Sequence, residues 1–476
     1  MSYALVSDKV LLEDGLRPAT VIFSKETGKI LHIEGKMLDM DDGLLGVFGI
    51  PKENYRNVTP LCVIPGLVDS HVHLNEPGRT DWEGFETGTQ AAAAGGVTTV
   101  IDMPLNAIPP TTNVTNFNCK IEAAKGKTWV DVGFWGGMVP DNIGDLRPLV
   151  AMGVRGFKGF LIESGVDEFP KINRDYIIQA MKSVKGCHTM LMFHAEKECC
   201  GQDKVPEGKL DRSTTCGSPD PNAYSSFLNS RPDSLEVNAI EEIVECSTLE
   251  PLVPLHIVHL ATFEAIPLIK LARERKLPLT AETCFHYLAL NSEKIADRSP
   301  HMKCCPPIRT DKNRRLLWDA LRDGLISTVV SDHSPCTPDL KGFGKGDFLS
   351  AWGGISSVGF GLSVLYTEGQ KLSPPVSLND ISKWCSWNTA KQVGLAHLKG
   401  KIKEGYDADF VLFDPEARFK VSNSETFFKN KLTAYDGMSF QGRVLETYLR
   451  GKKVYSIDNG HCVAPLGRLI LEPRVD

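Results

Sequence analysis

The sequence predicts an α/β fold, a (β/α)8 TIM-like barrel with a small β-sandwich domain built from both chain ends. The middle of the chain alternates apolar runs with helix-like segments, which is typical of a parallel sheet. The apolar runs number eight, and eight strands close a barrel of about 250 residues. Both ends of the chain contain only short strand-like runs, and a length of 476 residues leaves room for a second domain.

The two chain ends have the same character. Residues 9–12, 19–23 and 29–33 precede the barrel region, and residues 408–413 and 452–455 follow it; most of these residues are apolar or β-branched. Asp414-Pro415 is expected to end the run 408–413, because proline lacks a backbone N–H. The predicted division assigns residues 1–63 and 399–476 to the small β domain and residues 64–398 to the barrel.

The barrel strands are expected at the apolar runs of the middle region. These runs are residues 61–70, 97–103, 130–135, 154–160, 190–193, 255–258, 277–280 and 326–330. An open, doubly wound sheet is the competing architecture. It is disfavoured because no Gly-x-Gly-x-x-Gly motif opens a helix after one of these runs.

Charge and composition exclude several function classes. Lys and Arg number 53 and Asp and Glu number 59, which gives a formal net charge of −6. Without a basic excess to neutralise phosphates, nucleic acid is not an expected partner. No apolar stretch approaches the roughly 20 residues of a membrane helix, and no targeting segment is visible, so a cytoplasmic location is expected. The 13 scattered cysteines are expected to be free thiols of a reducing compartment.

Potential metal ligands follow several predicted strands, at the end of the barrel where active sites lie. His71 and His73 have the i, i+2 spacing that points two strand side chains the same way. Lys158 lies at an apolar, Gly-flanked strand end, where an unpaired ammonium is costly to bury. Each residue alone is also compatible with a packed histidine, a surface lysine or a capping aspartate, but the joint pattern favours a metal site. The predicted ligands are His71, His73, Lys158, His194, His259 and Asp332.

This combination of side chains indicates metal-assisted hydrolysis. Imidazoles with a carboxylate suit zinc or another first-row divalent ion. A neutral, desolvated Lys158 amine can react with carbon dioxide, and the resulting carbamate can bridge two cations. A hydroxide shared by the ions is the expected nucleophile, since metal binding lowers the pKa of water toward about 7. Asp332 is the predicted carrier of the proton to the leaving nitrogen. His256 faces away from His259 along its strand and is expected to pack behind the site.

The motifs around these residues resemble those of the cyclic amidohydrolases, and among them the allantoinases. Residues 65–73 are similar to the first-strand signature of that superfamily. More specific similarities to allantoinases lie in residues 74–85, 102–106, 305–309, 331–336 and 351–354. The resemblance covers essentially the whole chain, including the split β domain near residues 405–409.

The resemblance implies a metal-dependent enzyme of purine degradation that opens the ring amide of allantoin to give allantoate, and it implies a homotetramer. It assigns one ion to His71, His73, Lys158 and Asp332, and a second ion to Lys158, His194 and His259. Zinc is the expected metal, with manganese or iron as alternatives, and Lys158 is expected to be carboxylated. The predicted substrate contacts are Cys304, Gly353 and Gly354 through the main chain, and Arg79, Asn106 and Asn113 through side chains.

The same motifs are compatible with two other functions, and a third family is disfavoured. A dihydropyrimidinase or hydantoinase would use the same metals on another cyclic ureide. A non-catalytic, dihydropyrimidinase-like scaffold protein would resemble the enzymes but lack metal ligands. A dihydroorotase is disfavoured, because that family has an arginine two residues after the second histidine, where this chain has Asn75.

A long connection, residues 198–235, is rich in Gly, Ser, Pro and Asp. Connections of this length usually have a function or are disordered. The segment is predicted to close over the substrate.

Overall fold

The computed structural model describes residues 1–198 and 220–475. The β-strands are β1 (Ser2–Leu12), β2 (Gly15–Ser24), β3 (Ile30–Glu34), β4 (Tyr55–Asn57), β5 (Cys62–Pro65), β6 (Leu67–Val72), β7 (Val97–Asp102), β8 (Asp131–Phe134), β9 (Gly136–Gly137), β10 (Phe157–Phe160), β11 (Leu191–His194), β12 (Leu255–Ile257), β13 (Leu279–Cys284), β14 (Thr328–Val330), β15 (Phe410–Lys420), β16 (Ser439–Leu449), β17 (Lys452–Ser456) and β18 (Gly460–His461).

The α-helices alternate with the strands through the middle of the chain. They are α1 (Gly43–Val47), α2 (Phe85–Ala94), α3 (Val114–Ala124), α4 (Ile143–Ala151), α5 (Arg174–Val184), α6 (Tyr224–Ser230), α7 (Asp233–Leu249), α8 (Ile266–Glu274), α9 (Phe285–Ala289), α10 (Asp311–Arg322), α11 (Pro338–Lys341), α12 (Gly361–Gly369), α13 (Leu378–Ser382) and α14 (Asn388–Gln392). Within the described ranges, none of these helices has both the length and the apolar character required to cross a bilayer.

Strands β6 to β14 form the parallel barrel. β6, β7 and β8 are neighbours in that order, and β9 to β14 follow in sequence order. β8 and β9 are two parts of one barrel strand, separated at Trp135. A parallel bridge between Val72 and His333 joins the last strand to the first and closes the ring. β7 is buried at every position, as expected for a parallel strand that is covered on both faces. The predicted barrel is confirmed.

Strands from both chain ends form one sheet of nine strands. β5 joins the two ends, because it pairs in parallel with β1 and antiparallel with β15. The predicted β domain of both ends is therefore confirmed. One predicted strand end is wrong, since β15 does not stop at Asp414-Pro415 but continues to Lys420. The register of β15 shifts between Asp414 and Arg418, and an irregularity of this kind tolerates a proline without a ladder N–H.

We propose that the chain divides as the sequence predicts, into residues 1–63 and 399–476 for the β domain and residues 64–398 for the barrel. The first junction falls within β5, which pairs only with strands of the nine-stranded sheet among the described strands. The barrel proper begins with β6 at Leu67. Pairing supports this division, because no ladder joins a barrel strand to the nine-stranded sheet in the described chain.

A buried ion cluster joins the nine-stranded sheet to the barrel. The Nζ of Lys399 lies 2.9 Å from Asp131 Oδ2 and 2.7 Å from Asp409 Oδ2. The guanidinium of Arg450 donates to Asp131 Oδ1 at 2.6 Å. Asp131 begins β8, so the cluster lies at the amino-terminal end of the barrel strands, opposite the end where barrel active sites lie.

Candidate active site

The six predicted ligands meet at the carboxyl-terminal mouth of the barrel. All six are buried. All of them except His71 line one cavity of about 240 Å³. His71 lies in β6, His73 follows β6, Lys158 lies in β10, His194 ends β11, and His259 and Asp332 follow β12 and β14.

Asp332 is the acidic centre of the first group of side chains. Its Oδ1 atom lies 3.1 Å from His71 Nε2 and 3.6 Å from His73 Nε2. Burial alone would raise the pKa of Asp332, but the charge and hydrogen bonds of these histidines hold the pKa well below its usual range. Asp332 is therefore a carboxylate at neutral pH, which is the form that binds cations and accepts protons.

His194 and His259 form the second group. The Nδ1 of His194 lies 3.0 Å from the Nε2 of His259, which is close enough for both nitrogens to bind one ion. Burial, followed by the nearby charge of Lys158, lowers the pKa of both rings well below the usual value. The rings are therefore neutral, and neutral imidazole is the form that ligates metals.

Lys158 lies among these histidines, and the described part of the chain places no counter-ion in contact with it. No carboxylate of the described chain lies within 4.0 Å of its ammonium, although Asp332 and Glu282 are near enough to act at longer range. Burial lowers the pKa of Lys158 to about 8, and those two carboxylates oppose the shift only in part. A substantial fraction of the amine is therefore neutral near physiological pH.

Two of the predicted ligands have a backbone conformation that non-glycine residues rarely adopt. His259 has a φ of 40° and Asp332 a φ of 43°. Each such residue costs about 1–3 kcal/mol, and strain of this kind clusters at functional sites. In both cases the strain lies directly beyond a barrel strand.

A carboxylate that the sequence analysis missed orients His71. Glu282 Oε1 lies 2.5 Å from His71 Nδ1, and its Oε2 lies 3.0 Å from His256 Nε2. Burial would raise the pKa of Glu282, but His71 and His256 outweigh it and hold the pKa below its usual range. His256 also contacts the hydroxyl of Thr280 at 2.7 Å. It lies behind the site, as the sequence predicts.

Further contacts fix the other histidine rings. The Nδ1 of His73 lies 2.9 Å from the carbonyl oxygen of Leu105. The Nε2 of His194 lies 2.6 Å from Glu196 Oε2, and Arg231 donates to the same oxygen at 2.5 Å. Partners of this kind fix the tautomer of a histidine and leave its other nitrogen free to bind an ion.

The donor set fits divalent metal ions. His71, His73 and Asp332 offer ligand atoms that all lie within 4.8 Å of one another. Neutral imidazoles beside a carboxylate are the ligands of zinc and related ions.

A second group of potential ligands shares Asp332. Cys284 and His286 offer ligand atoms within 4.8 Å of it and of each other. Burial lowers the pKa of His286 to about 4 and raises the pKa of Cys284 well above its usual range. The thiol is therefore protonated, and a thiol ligates metals only after it loses its proton. The histidine group is the better metal site.

The predicted substrate contacts divide into two sets. Asn106, Cys304, Gly353 and Gly354 line the cavity. Arg79 and Asn113 are not among the described residues that line it. Arg79 instead contacts Glu168 and donates to the carbonyl oxygen of Asn106 at 2.6 Å. The side chain of Asn113 accepts from the backbone N–H of Asn116 at 2.9 Å and caps α3, as Asn commonly does before a helix.

Most of the long connection between residues 198 and 235 lies outside the described residues, which resume at residue 220. Its described part contains α6 and the start of α7 rather than a continuous loop. Arg231, at the end of α6, lines the cavity. Closure over the substrate stays a prediction.

Known hydrolases are similar to this chain in sequence. The sequence profile of the Amidohydrolase family matches residues 62–454. An allantoinase of Saccharomyces cerevisiae is 54% identical over 473 residues, which cover 99% of each chain. An allantoinase of Streptomyces avermitilis is 42% identical and covers 98% of each chain.

The fold also matches solved structures. The L-hydantoinase (dihydropyrimidinase) of Arthrobacter aurescens superposes with a TM-score of 0.87, at 24% identity, over 98% of this chain and 100% of that one. At 24% identity this match supports the fold alone. The two allantoinases, at 54% and 42% identity over nearly the full length, also show the family. The chain therefore belongs to the Amidohydrolase family and, within it, to the allantoinases.

Proposed function

We propose that this chain hydrolyses the ring amide of allantoin to give allantoate. The convergence of four histidines, a lysine and an aspartate at one mouth of the barrel is the observation that carries a metal-dependent hydrolase. The choice of allantoin is supported by the full-length similarity to the Saccharomyces cerevisiae allantoinase. In the reaction, the oxygen of water bonds to the ring carbonyl carbon, the carbon–nitrogen bond breaks, and a proton passes to the nitrogen.

The proposed ligands follow the two groups of side chains. His71, His73, Lys158 and Asp332 would hold one divalent ion, and Lys158, His194 and His259 the other. Bound there, two ions would lower the pKa of water toward about 7 and polarise the ring carbonyl. Zinc is the proposed metal, with manganese or iron as alternatives, because neutral imidazoles dominate the set.

Lys158 is proposed to act as a carbamate. Its neutral amine would bond to carbon dioxide and release one proton, and the product carries a negative charge and two oxygens. Burial supports this step, since it lowers the pKa of Lys158 to about 8. The absence of a carboxylate within 4.0 Å, among the described residues, also leaves the amine free to react.

Asp332 is proposed to carry the proton. Its carboxylate is ionised, lines the cavity and is held by His71 and His73. It can therefore accept a proton from the attacking water and donate it to the leaving nitrogen. Asn106, Cys304, Gly353 and Gly354 are proposed to hold the ring, because they form the wall of the same cavity.

The assembly and the compartment are also proposals. A homotetramer follows from the resemblance to cyclic amidohydrolases, which are commonly tetramers. A cytoplasmic location is supported by the cysteines of the described chain, all of which are free thiols, because free thiols are typical of reducing compartments.

One experiment tests the proposed function. Hydrolysis of allantoin, hydantoin and dihydrouracil is measured side by side on one preparation whose metal content is known. We expect the highest kcat/KM with allantoin, loss of activity after chelation, and recovery with zinc. Preference for hydantoin or dihydrouracil would favour the hydantoinase or dihydropyrimidinase alternative. A protein without stoichiometric metal that hydrolyses none of the three would be a scaffold.

A further inference from the structure

An irregular segment forms one wall of the cavity. Residues 349–354 are neither helix nor strand. Ser350 to Gly354 all line the cavity, and His194 and His259 line the same cavity. Because the segment belongs to no sheet or helix, its carbonyl oxygens must find partners elsewhere.

Lys303 supplies two of those partners. Its Nζ donates to the carbonyl oxygen of Leu349 at 3.0 Å and to that of Ala351 at 2.6 Å. Its own carbonyl oxygen accepts from the N–H of Gly354 at 2.8 Å. One lysine thus holds both ends of the segment.

Lys341 supplies two more. Its Nζ donates to the carbonyl oxygen of Trp352 at 2.9 Å and to that of Gly354 at 2.6 Å. Lys341 ends α11, and the N–H of Trp352 donates to the carbonyl oxygen of the preceding residue, Leu340, at 2.9 Å. Together the two ammonium groups hold the carbonyls of Leu349, Ala351, Trp352 and Gly354.

Among residues 1–198 and 220–475, neither ammonium group has an acidic partner. The relative exposure of Lys303 is 7% and that of Lys341 is 3%, and no carboxylate of the described residues lies within 4.0 Å of either Nζ. Burial of an ammonium without a counter-ion is costly, and charge-assisted hydrogen bonds are the compensation. A neutral side chain would fill the same space at lower cost if filling space were the only task.

The segment is also tied to the strand end that bears Asp332. A Cβ on Gly354 would lie 2.2 Å from the carbonyl oxygen of Ser334, and Gly354 has a φ of 143°. Only glycine fits such a close backbone approach.

We propose that Lys303 and Lys341 are positioning residues that shape residues 349–354 to receive the substrate. The proposal rests on the proposed function, because it concerns the same cavity. The ammonium groups turn four carbonyl oxygens to themselves and so remove these acceptors from the cavity wall. The N–H groups and carbonyl oxygens of a ureide then meet a wall whose backbone is held in one arrangement. The lysines therefore determine substrate affinity and leave the chemical step to other residues.

Three variants test this role. Lys303→Met and Lys341→Met remove the charge and keep the length of the side chain, and Lys345→Met removes the charge of an exposed lysine nearby as the control. We expect KM for allantoin to rise about tenfold or more in the first two variants, as loss of charged hydrogen bonds predicts. We expect kcat to stay within about twofold, the pattern of lost ground-state binding. Unchanged KM, or a fall in kcat alone, would overturn the proposal.

Amide hydrogen exchange gives a reading that needs no substrate. In both Met variants we expect faster exchange at Ala351, Trp352 and Gly354, with unchanged exchange in β11 and β12. Uniformly faster exchange would mean general destabilisation and would overturn a positioning role. If the Met variants do not fold, Lys303→Arg and Lys341→Arg decide, since they keep the charge but change the hydrogen-bond geometry and should still raise KM for allantoin; an unchanged KM in both would overturn the proposal. Failure of the wild type to hydrolyse allantoin would refute the proposed function but leave the exchange result unaffected.

Discussion

Two buried lysines at opposite ends of the barrel have opposite surroundings. Lys158 is 1% exposed and lies among the histidines of the cavity, whereas Lys399 is 4% exposed and lies at the junction with the nine-stranded sheet. Burial lowers the pKa of Lys158 to about 8, with little opposition from distant carboxylates. Burial acts in the same direction on Lys399, but Asp131, Asp409 and Asp407 outweigh it and raise the pKa above its ordinary value.

The comparison separates a reactive lysine from a structural one. Lys399 has three carboxylates within 3.2 Å and remains a cation. Lys158 has none within 4.0 Å in the described chain, so its amine can lose its proton and react. For a buried lysine, a pKa lowered in the absence of a close carboxylate indicates a reactive amine, whereas a pKa raised by several carboxylates indicates a stable cation. Burial alone does not distinguish the two lysines.

The largest expected loss of activity follows the replacement of Lys158. Lys158→Ala should lower kcat by more than about a hundredfold, beyond the 10–100-fold loss typical of residues that only support a ligand. The second metal ion should be lost at the same time, because the bridging group is gone. Turnover and the metal-to-protein ratio measure this. Added short-chain carboxylic acid should restore part of the activity, and wild-type turnover without it would remove the carbamate from the mechanism.

Asp332→Asn should have the next largest effect. We expect kcat to fall about 10²–10⁴-fold, the range of general acid–base catalysis, with a much smaller change in KM. The variant removes a proton acceptor and keeps the shape of the side chain. Steady-state kinetics on allantoin separates the two constants. A change in KM alone would show that Asp332 does not carry the proton.

Lys399→Met should affect stability and leave catalysis unchanged. Removal of one partner from a buried ion cluster costs about 3–5 kcal/mol of unfolding free energy, because the carboxylates stay buried. Denaturant unfolding measures the loss, and kcat of the folded fraction is the control. Equal stability of variant and wild type would contradict the structural role of Lys399.

Glu282→Gln sharpens the comparison at the cavity. It keeps the shape of the residue that contacts His71 and His256 but removes its charge. We expect metal affinity and activity to fall about 10–100-fold, as for other partners of metal-binding histidines. Metal titration of the stripped protein measures the change. An unchanged affinity would mean that Glu282 only fills space.

The reactivation rate that depends on Lys158 should vary with pH, whereas the stability that Lys399 contributes should not. Below pH 8 the amine of Lys158 is mostly protonated, so at a fixed concentration of dissolved carbon dioxide the rate at which carbon dioxide and metal reactivate stripped protein should fall about tenfold per pH unit. Above pH 8 the rate should level off. A rate independent of pH between 6 and 9 would contradict a reactive amine at this position.

The contribution of the Lys399 cluster to stability should be constant over that range. The raised pKa of Lys399 gives stability that is fully present below its ordinary value of 10.5 and is lost as the pH rises through the folded pKa. The lowered pKa of Asp131 gives stability that is present above its ordinary value of 3.8 and is lost as the pH falls through the folded pKa. Denaturant midpoints at several pH values, for wild type and Lys399→Met, measure this contribution.

Part of the site was predictable because its signal is local. His71, Lys158 and Asp332 each stand out by residue type directly after or within an apolar run, and parallel strands bring such positions to one mouth. Glu282 has no such signal, since the apolar run ends at residue 280 whereas β13 continues to Cys284. The polar residues Thr280 and Glu282 fit into β13 because His71 and His256, from other strands, bond to their side chains.

Contacts that depend on the tertiary structure could not be predicted. Asn113 has the same residue type as a substrate contact, but the start of α3 takes its side chain as a cap. Lys303 and Lys341 are separated by 38 positions in the chain, and nothing local shows that both hold residues 349–354. The barrel itself follows from repeated local patterns, which explains why the fold was easier to predict than the cavity wall.

The contrast between the two lysines is tested most directly by carbon-13 NMR of protein incubated with metal and ¹³C-labelled bicarbonate. We predict one carbamate signal in the wild type and in Lys399→Met, and none in Lys158→Ala. The absence of the signal in the wild type, or its persistence in Lys158→Ala, would contradict the account.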